Sequence, residues 1–317
     1  MKIKRLFAAI LTAMMVISCF SFTANAQETQ TVSAPLHIYT AIGSSDVFRS
    51  QGGLSKTRLY DEENNLTYYH HELVDASQNI HYDSYGLGTI KPTNGVIYFA
   101  ADVRTNFATT PSVRVYGATV TGSTSNNGGD YKASAYKADG KWERVVIKIE
   151  NANLESFNQL HIFFAGGYNN ANFTEEHYYD VSAMAFFADE YSAKNFDFAP
   201  CVSGGNGEKK IYLSANGNDM YTGLSADAPV ATLTRANAVA KANASVDTYV
   251  ILDNFTTAKD AEEIGVSGRT ITVTGKTGSV VFNFDANASG TDDDLVLAGP
   301  VVFENITIKD GSGDGMI

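Results

Sequence analysis

The chain has 317 residues, of which 44% are hydrophobic and 18% charged, and 35 acidic against 23 basic side chains give a formal net charge of −12. This length predicts about two domains. The 17 tyrosines and 18 phenylalanines exclude a wholly disordered chain. Neither a collagen-like glycine period nor a sustained heptad pattern is present. The negative charge argues against a nucleic-acid partner, because it would repel the phosphate backbone.

The first 26 residues have the three parts of a secretory signal peptide. Two lysines and an arginine precede an apolar run over residues 6–17, and small residues at Ala24 and Ala26 form a cleavage site. The apolar run is shorter than the roughly 20 residues that a membrane span needs, and no later segment approaches that length. We therefore expect cleavage after Ala26, a secreted, extracellular protein and no membrane span.

The same segment contains an alternative signal. Residues 16–19 resemble a bacterial lipobox, in which the cysteine becomes a lipid-modified N-terminus, although Phe20 is not the small or acidic residue expected after it. A lipid anchor at the cell surface through Cys19 is therefore the alternative localisation. By either route Cys201 is the one remaining thiol, so no intrachain disulfide can form. The fold must then be held together by its core.

The composition changes near residues 199–208. This stretch contains one proline and three glycines and lacks an apolar run, which is typical of a linker. All six histidines and the only tryptophan precede it, whereas Gly, Asn, Asp, Thr and Val dominate the chain after it. The predicted organisation is a signal peptide over 1–26, a β-sandwich module over 27–198, a linker over 199–208 and a second β module over 209–317.

The first module is predicted to be all-β. Seven segments rich in Tyr, Phe, Val and Ile are separated by turns rich in Gly, Asn and Thr, such as residues 126–129. Short strands with such turns predict a β-sandwich or jelly roll. A short helix should follow, with Asp189 as its N-cap and Glu190 in its first turn. The predicted strands are 35–41, 65–73, 95–103, 112–120, 142–150, 160–165 and 178–187.

The second module begins with a predicted strand at 211–214 and a polar turn at 215–219. A helix is predicted after Pro229, because the next apolar residues recur with the spacing of one helix face. These residues are Leu233, Ala236, Val239 and Ala240.

Three β-rich units follow the predicted helix. They begin near Val250, Ile271 and Leu295, at offsets of 21 and 24 residues, and the segments 280–282 and 301–303 repeat the 21-residue offset. Units of this size cannot bury their own apolar face, so the pattern predicts a stacked β-solenoid.

The run KKIYLSANGNDMYTGLSADAPVATLTRANAVA resembles the N-terminal segment of secreted right-handed parallel β-helix proteins, the pectate-lyase-like superfamily. In that superfamily a strand, a Gly/Asp turn and a Pro-x-x-Thr-Leu helix open the solenoid. The resemblance implies that 209–317 forms the capped first coils of a right-handed parallel β-helix. The helix would cover the apolar end and the unpaired backbone of the first coil.

The end of the first module also carries a resemblance. Residues 178–187, followed by an acidic helix, look like the closing strand of β-sandwich modules in bacterial surface and glycan-degrading proteins. Many of those modules are, or are similar to, carbohydrate-binding modules. The resemblance implies a polysaccharide or cell-surface glycan as the partner.

Aromatic side chains are the candidate glycan-binding residues. Sugar rings have apolar C–H faces, which exposed aromatic rings beside a few polar groups can hold. Alternate residues of a strand share one face, and on strand 142–150 Val145 and Ile147 mark the apolar one. Trp142 should therefore lie on the opposite, more polar face. The alternative is that these rings fill the sandwich core. The candidate residues are Tyr68, Tyr69, Tyr82, Tyr85 and Trp142.

No metal or catalytic residue is predicted. His70 and His71 are adjacent, so on a strand they point to opposite faces and cannot chelate one metal. The acidic segments 292–294 and 310–315 resemble parts of calcium sites, so Ca²⁺ is the alternative to our expectation of no cofactor. Asp-Gly turns are, however, also the ordinary corners of a β-solenoid. No nucleophile–base pair or phosphate-binding loop is recognisable.

The sequence thus predicts a secreted bacterial modular protein, a monomer, that binds or presents to polysaccharide through its β-sandwich. The first alternative is a fragment of a polysaccharide lyase or glycosidase whose active site lies beyond residue 317, since the solenoid ends after a few coils without a cap. The second alternative is a cell-surface adhesin or stalk. The parent protein's enzymatic status stays open, and for this chain we expect binding without turnover.

Overall fold

A computed structural model describes residues 30–42, 48–78, 81–166, 171–204, 207–257, 262–283 and 295–309. From Val32 onward the chain forms one compact unit. The predicted signal peptide with Cys19, and the acidic segments 292–294 and 310–315, lie outside the described residues. Within the described ranges, no helix combines the length and apolar character needed to cross a bilayer.

The described chain consists mostly of β-strands, as predicted. The strands are β1 (His37–Thr40), β2 (Phe48–Gln51), β3 (Leu54–Asp61), β4 (Leu66–Leu73), β5 (Tyr82–Ile90), β6 (Val96–Thr105), β7 (Ser112–Tyr116), β8 (Thr119–Val120), β9 (Asn127–Lys132), β10 (Glu143–Glu150), β11 (Leu154–Phe163), β12 (Tyr178–Phe187), β13 (Lys210–Leu213), β14 (Thr248–Ile251), β15 (Phe255–Thr256), β16 (Glu263–Ile264), β17 (Ile271–Gly275), β18 (Val281–Asn283), β19 (Val296–Leu297), β20 (Val301–Glu304) and β21 (Thr307–Lys309). The helices are α1 (Glu190–Asn195), α2 (Ala199–Val202) and α3 (Leu233–Ala242).

Strands β1–β12 form two antiparallel sheets that face each other. Sheet A has the order β10-β6-β12-β4-β3, with β1 paired to β12, and sheet B has the order β2-β5-β11-β7-β9, with β8 paired to β11. Alternate residues of both sheets, among them Phe99, Ile147 and Leu160, meet in one apolar core. This arrangement is a β-sandwich and confirms the predicted fold class for this part of the chain.

Strand β12 is buried on both faces. Its inward residues join the sandwich core, whereas the outward residues Ala183, Ala185 and Phe187 pack against α1, α2 and the segment between them. The helix α1 begins as predicted, because the Asp189 carboxylate accepts a hydrogen bond from the Ser192 backbone N–H at 2.7 Å. The outer face of sheet A is therefore partly covered.

The predicted linker begins with structured residues. Ala199–Val202 form α2, and Cys201 is fully buried there, which raises the pKa of its thiol to about 12. Gly204 accepts a hydrogen bond from the Thr67 hydroxyl at 2.9 Å through its carbonyl oxygen. The division of the chain at 199–208 stays a prediction.

Strands β13–β21 form three small parallel sheets. Their orders are β13-β14-β17-β20, β15-β18-β21 and β16-β19. The rings of Phe255 and Phe282 stack at 6.0 Å between centroids, and those of Phe282 and Phe303 at 6.2 Å. The predicted helix face packs on this core: Leu233, Ala236, Val239 and Ala240 are all fully buried in α3.

The predicted repeat does not give the observed strand pairing. The register between its first two units is wrong, and its third unit, near Leu295, is not the strand that continues the sheet. Val250 and Ile271 lie in neighbouring parallel strands, but Val250 pairs with Thr274. Leu295 precedes β19, which pairs with β16 in another sheet, and the strand that continues from β17 is β20. The segments 280–282 and 301–303 also belong to different sheets, in β18 and β20. Apolar triplets mark strands, but turns of unequal length separate them, so their spacing does not give the register.

The two modules are joined by packed contacts. Ile42, two residues after β1, is buried in the apolar core of the second module. The Arg235 guanidinium of α3 donates to the carbonyl oxygens of Ile42 at 3.4 Å and Tyr221 at 3.0 Å. The residues just after β1 therefore pack on the core of the parallel sheets.

Replacing Phe282 with alanine should lower the free energy of unfolding by about 3–5 kcal/mol, because it leaves a cavity between two stacked rings. The control is Val302→Ala, whose side chain is 42% exposed on β20. For the control we expect a change within about 0.5 kcal/mol. Chemical denaturation followed by circular dichroism measures both variants. Equal losses would contradict the burial of the Phe282 ring.

Candidate functional site

The five candidate glycan-binding residues lie in different parts of the sandwich. Tyr68 and Trp142 lie together on the outer face of sheet A, with ring centroids 5.6 Å apart. Tyr69 is half-buried on the opposite side of β4, beside the Lys56 ammonium at 4.6 Å from its ring centroid. Tyr82 lies on the outer face of sheet B, and Tyr85 points inward. The structure therefore does not bring the five residues to one surface.

Tyr85 has no exposed ring face. Its side chain is fully buried in the core, edge-on to Tyr39 at 3.8 Å between centroids. Successive side chains of a strand point to opposite faces, so Asp83 and Tyr85 face the core whereas Tyr82 and Ser84 face outward. The prediction groups Tyr85 with the surface tyrosines because the sequence does not show which alternate residues of β5 face the core. We leave Tyr85 out of the candidate site.

Tyr68 and Trp142 belong to a network around Arg104 on sheet A. The guanidinium lies over both rings, 4.9 Å from the Tyr68 centroid and 4.7 Å from that of Trp142. It donates hydrogen bonds of 2.8 Å to Asp180 and to Asp61. The indole N–H of Trp142 also donates to Asp61, at 3.2 Å. Because Arg104 covers one face of each ring, this network connects strands rather than forming an open aromatic platform.

His70 extends this network toward the edge of sheet A. Its Nδ1 lies 2.7 Å from Asp180 Oδ1, and its Nε2 lies 3.8 Å from Glu72. The hydrogen bond to Asp180 raises the pKa of His70 above its ordinary value, although partial burial opposes the shift.

His71 points the opposite way, into the core, as the alternation of β4 predicts. Its ring stacks on Tyr179 at 4.5 Å between centroids, and its Nε2 lies 3.5 Å from the buried carboxylate of Asp83. The Tyr179 hydroxyl donates to Asp83 at 2.6 Å. Burial lowers the pKa of His71. Across the described ranges, no cluster of three or more His, Cys, Asp or Glu residues is placed to hold a metal ion.

Sheet B presents a second outer face, built by the register of five strands. One row of paired residues crosses the sheet, and a second set of outward residues lies beside it. The row is Arg49, Ser84, His161, Arg114 and Asp130. The neighbouring outward residues are Gln51, Tyr82, Phe163, Ser112 and Lys132.

Three half-exposed aromatic side chains form what we name the aromatic ridge: Tyr82, His161 and Tyr116. Tyr82 stacks on His161 at 4.6 Å between centroids, and His161 lies 4.4 Å from Tyr116. The three residues come from β5, β11 and β7, which are adjacent strands about 4.8 Å apart. The rings of Tyr82 and His161 are stacked, so each covers part of one face of the other.

Polar side chains flank the aromatic ridge. The Gln159 amide nitrogen lies 3.3 Å from His161 Nε2, and an Arg114 N–H donates to the Tyr116 hydroxyl at 3.5 Å. Arg114 is also paired with Asp130, with 3.0 Å between Nη2 and Oδ2. Burial and the Arg114 charge lower the pKa of His161, so its imidazole is neutral at pH 7 and both donates and accepts hydrogen bonds.

Sequence reasoning missed His161 and Tyr116. A usable signal was present in β11, where the apolar residues Leu160 and Ile162 alternate with Gln159 and His161. That alternation places His161 on an outward face. It does not reveal that Tyr82 and Tyr116 stand beside it, because these contacts depend on which strands become neighbours.

A cleft of about 480 Å³ opens among the loops at one end of the sandwich. Leu73 and Phe173 form its apolar part, and Gln78, Glu175 and Glu176 contribute polar groups. None of the candidate glycan-binding residues lines it.

No protein-family model matches the sequence, and no curated protein matches it. Among solved structures, the chain is similar to the CBM22-1 xylan-binding domain of Paenibacillus barcinonensis Xyn10C, with TM-score 0.33 and 10% identity over 50% of this chain and 96% of that chain. It is also similar to CsCBM6-3 from Clostridium stercorarium, solved with cellobiose, with TM-score 0.29 and 15% identity over 48% of this chain and 94% of that chain. A third is the family 11 carbohydrate-binding module from Clostridium thermocellum, solved with a β-1,3-1,4-mixed-linked tetrasaccharide, with TM-score 0.30 and 10% identity over 47% of this chain and 93% of that chain.

His70→Gln should lower stability more at about pH 5.5 than at about pH 8.5. The folded-state pKa of His70 is raised, so its stabilising contribution is complete below the ordinary value of 6.5 and is lost as pH rises through the folded-state pKa. For this partly exposed ion pair we expect a difference of about 0.2–1 kcal/mol between the two pH values. Urea unfolding measures it, with His177→Gln as a control that removes an imidazole bonded to Thr174. A His70→Gln effect independent of pH would contradict the ion pair.

Proposed function

We propose that the β-sandwich binds polysaccharide on the outer face of sheet B. The observation that carries this proposal is the aromatic ridge, which crosses three adjacent strands and is flanked by polar side chains. A glycan chain presents apolar C–H surface and hydroxyl groups at short intervals. The ridge offers aromatic rings together with the hydroxyls of Tyr82 and Tyr116 and the imidazole of His161.

The openness of sheet B supports this choice of face. On sheet A, α1 and α2 cover the outward residues of β12, and Arg104 lies against the rings of Tyr68 and Trp142. Tyr68 and Trp142 therefore form the second candidate surface, in which Tyr68 is buried and Trp142 is half-exposed. A glycan could use that surface only beside an arginine that already has two carboxylate partners.

The remaining parts of the proposal concern the chain around the sandwich. We propose that residues 209–317 begin a right-handed parallel β-helix capped by α3, because parallel β13–β21 stack their phenylalanines over a helix-covered core. The first 26 residues would direct export, with a lipid anchor at Cys19 as the alternative. The protein would act as a monomeric glycan-binding part of a surface or secreted protein. A lyase or glycosidase parent is the alternative.

A glycan array probed with the full chain tests the proposed function, and titration calorimetry on the strongest ligand tests the site. Tyr82→Ala should weaken binding about tenfold or more, because the ridge loses its end ring. The matched control is Tyr191→Ala, since Tyr191 is an exposed tyrosine on α1, on the sheet A side of the sandwich. It should leave the affinity unchanged.

Trp142→Phe separates the two candidate surfaces. It keeps an aromatic ring beside Arg104 while changing the shape and the N–H that a ligand on sheet A would meet. We expect unchanged binding by calorimetry. If Trp142→Phe abolishes binding and Tyr82→Ala does not, the binding surface is on sheet A and the assignment to the ridge is wrong.

A further inference from the structure

The outward side chains of sheet B carry an excess of positive charge. The cations on this face are Arg49, Arg114 and Lys132, and the only carboxylate among its paired described residues is Asp130. The chain as a whole has 12 more acids than bases. The face that carries the aromatic ridge thus has the opposite sign to the molecule.

Two of these cations have no carboxylate partner within the described ranges. Arg114 is held by Asp130, so that pair is close to neutral. Arg49 and Lys132 are exposed and make no ion pair with any described residue. The contrast with sheet A is clear, because there Arg104 contacts two carboxylates and Arg144 is paired with Asp102.

The two cations lie on opposite sides of the ridge, counted across the strands. Arg49 is on β2 and Lys132 is on β9, the two edge strands of sheet B. Four strand spacings separate them, which is about 19 Å. The ridge lies on the strands between them. An extended ligand that runs across the strands from Arg49 to Lys132 would therefore cross the ridge at His161.

Other acids of the same strands are remote or turned away. Asp83 of β5 faces the core and is fully buried. Glu155 is six residues before His161 along β11, which is about 20 Å, and it is bonded to the Thr121 hydroxyl. Neither carboxylate can neutralise Arg49 or Lys132.

We propose that the ligand of this face is an anionic polysaccharide, one whose carboxylate or sulfate groups meet Arg49 and Lys132 while its sugar rings cross the aromatic ridge at His161. This inference rests on the proposed function, because it names the ligand class of the same site. Arginine and lysine are the usual partners of such anions, and exposed pairs of this kind are screened by salt.

The test compares two polymers with the same backbone. Polygalacturonate and its fully methyl-esterified form differ only in the free carboxylates, and the full chain is titrated with each. We expect the free-acid polymer to bind about three- to tenfold more tightly at low ionic strength, as two exposed ion pairs allow. The advantage should fall as sodium chloride is added.

A double variant assigns the effect to the two cations. Arg49→Gln with Lys132→Gln should remove the preference, so that the free acid and the esterified polymer bind with equal affinity. Lys276→Gln is the matched control, because Lys276 is an exposed lysine of the second module. It should keep the preference. Titration with dextran and dextran sulfate then tells a sulfate ligand from a carboxylate ligand, and a preference for either charged polymer that the double variant removes supports the proposal.

Two results overturn the inference in distinguishable ways. If the chain binds charged and uncharged polymers equally, and Tyr82→Ala weakens both, the ligand is a neutral glycan and the proposed function survives. A charge preference that persists in the double variant also overturns the assignment to Arg49 and Lys132. If no glycan on the array binds at all, the proposed function and this inference fail together.

Discussion

The burial of β12 on both faces determines which surface of the sandwich is open. Its inward side chains complete the core, and its outward alanines and Phe187 are covered by α1, α2 and the chain between them. Arg104, held by Asp61 and Asp180, fills the area beside that cover. Sheet A is therefore partly covered by its own chain, whereas Tyr82, His161 and Tyr116 remain half-exposed on sheet B.

Part of this fold could be predicted from local sequence. Strands with long apolar stretches, such as β6 and β12, and helices with a recognisable cap and apolar face were predicted close to their observed bounds. Four strands of the sandwich were not predicted. Three of them, β2, β3 and β9, are edge strands that carry charged residues, and the fourth, β5, contains Gly86 and Gly88. Their strand character comes from pairing with neighbours, which a local pattern does not contain.

The candidate site was less predictable than the fold. Alternation along one strand placed Trp142 on the more polar face, but it could not reveal that Arg104 lies against that ring, since Arg104 comes from a strand 38 residues earlier. The aromatic ridge combines residues from β5, β7 and β11 for the same reason. In the parallel sheets, unequal turns gave a register that differs from the apparent repeat. Long-range pairing decided each of these outcomes.

The junction between the modules has a mechanical consequence. Ile42 is buried in the second module only two residues after β1, and β1 is held in sheet A through its ladder with β12. Only Ala41 thus separates the last residue of β1 from a side chain that is buried in the other core. A force that pulled the parallel sheets away from the sandwich would therefore load the β1–β12 hydrogen bonds through Ile42.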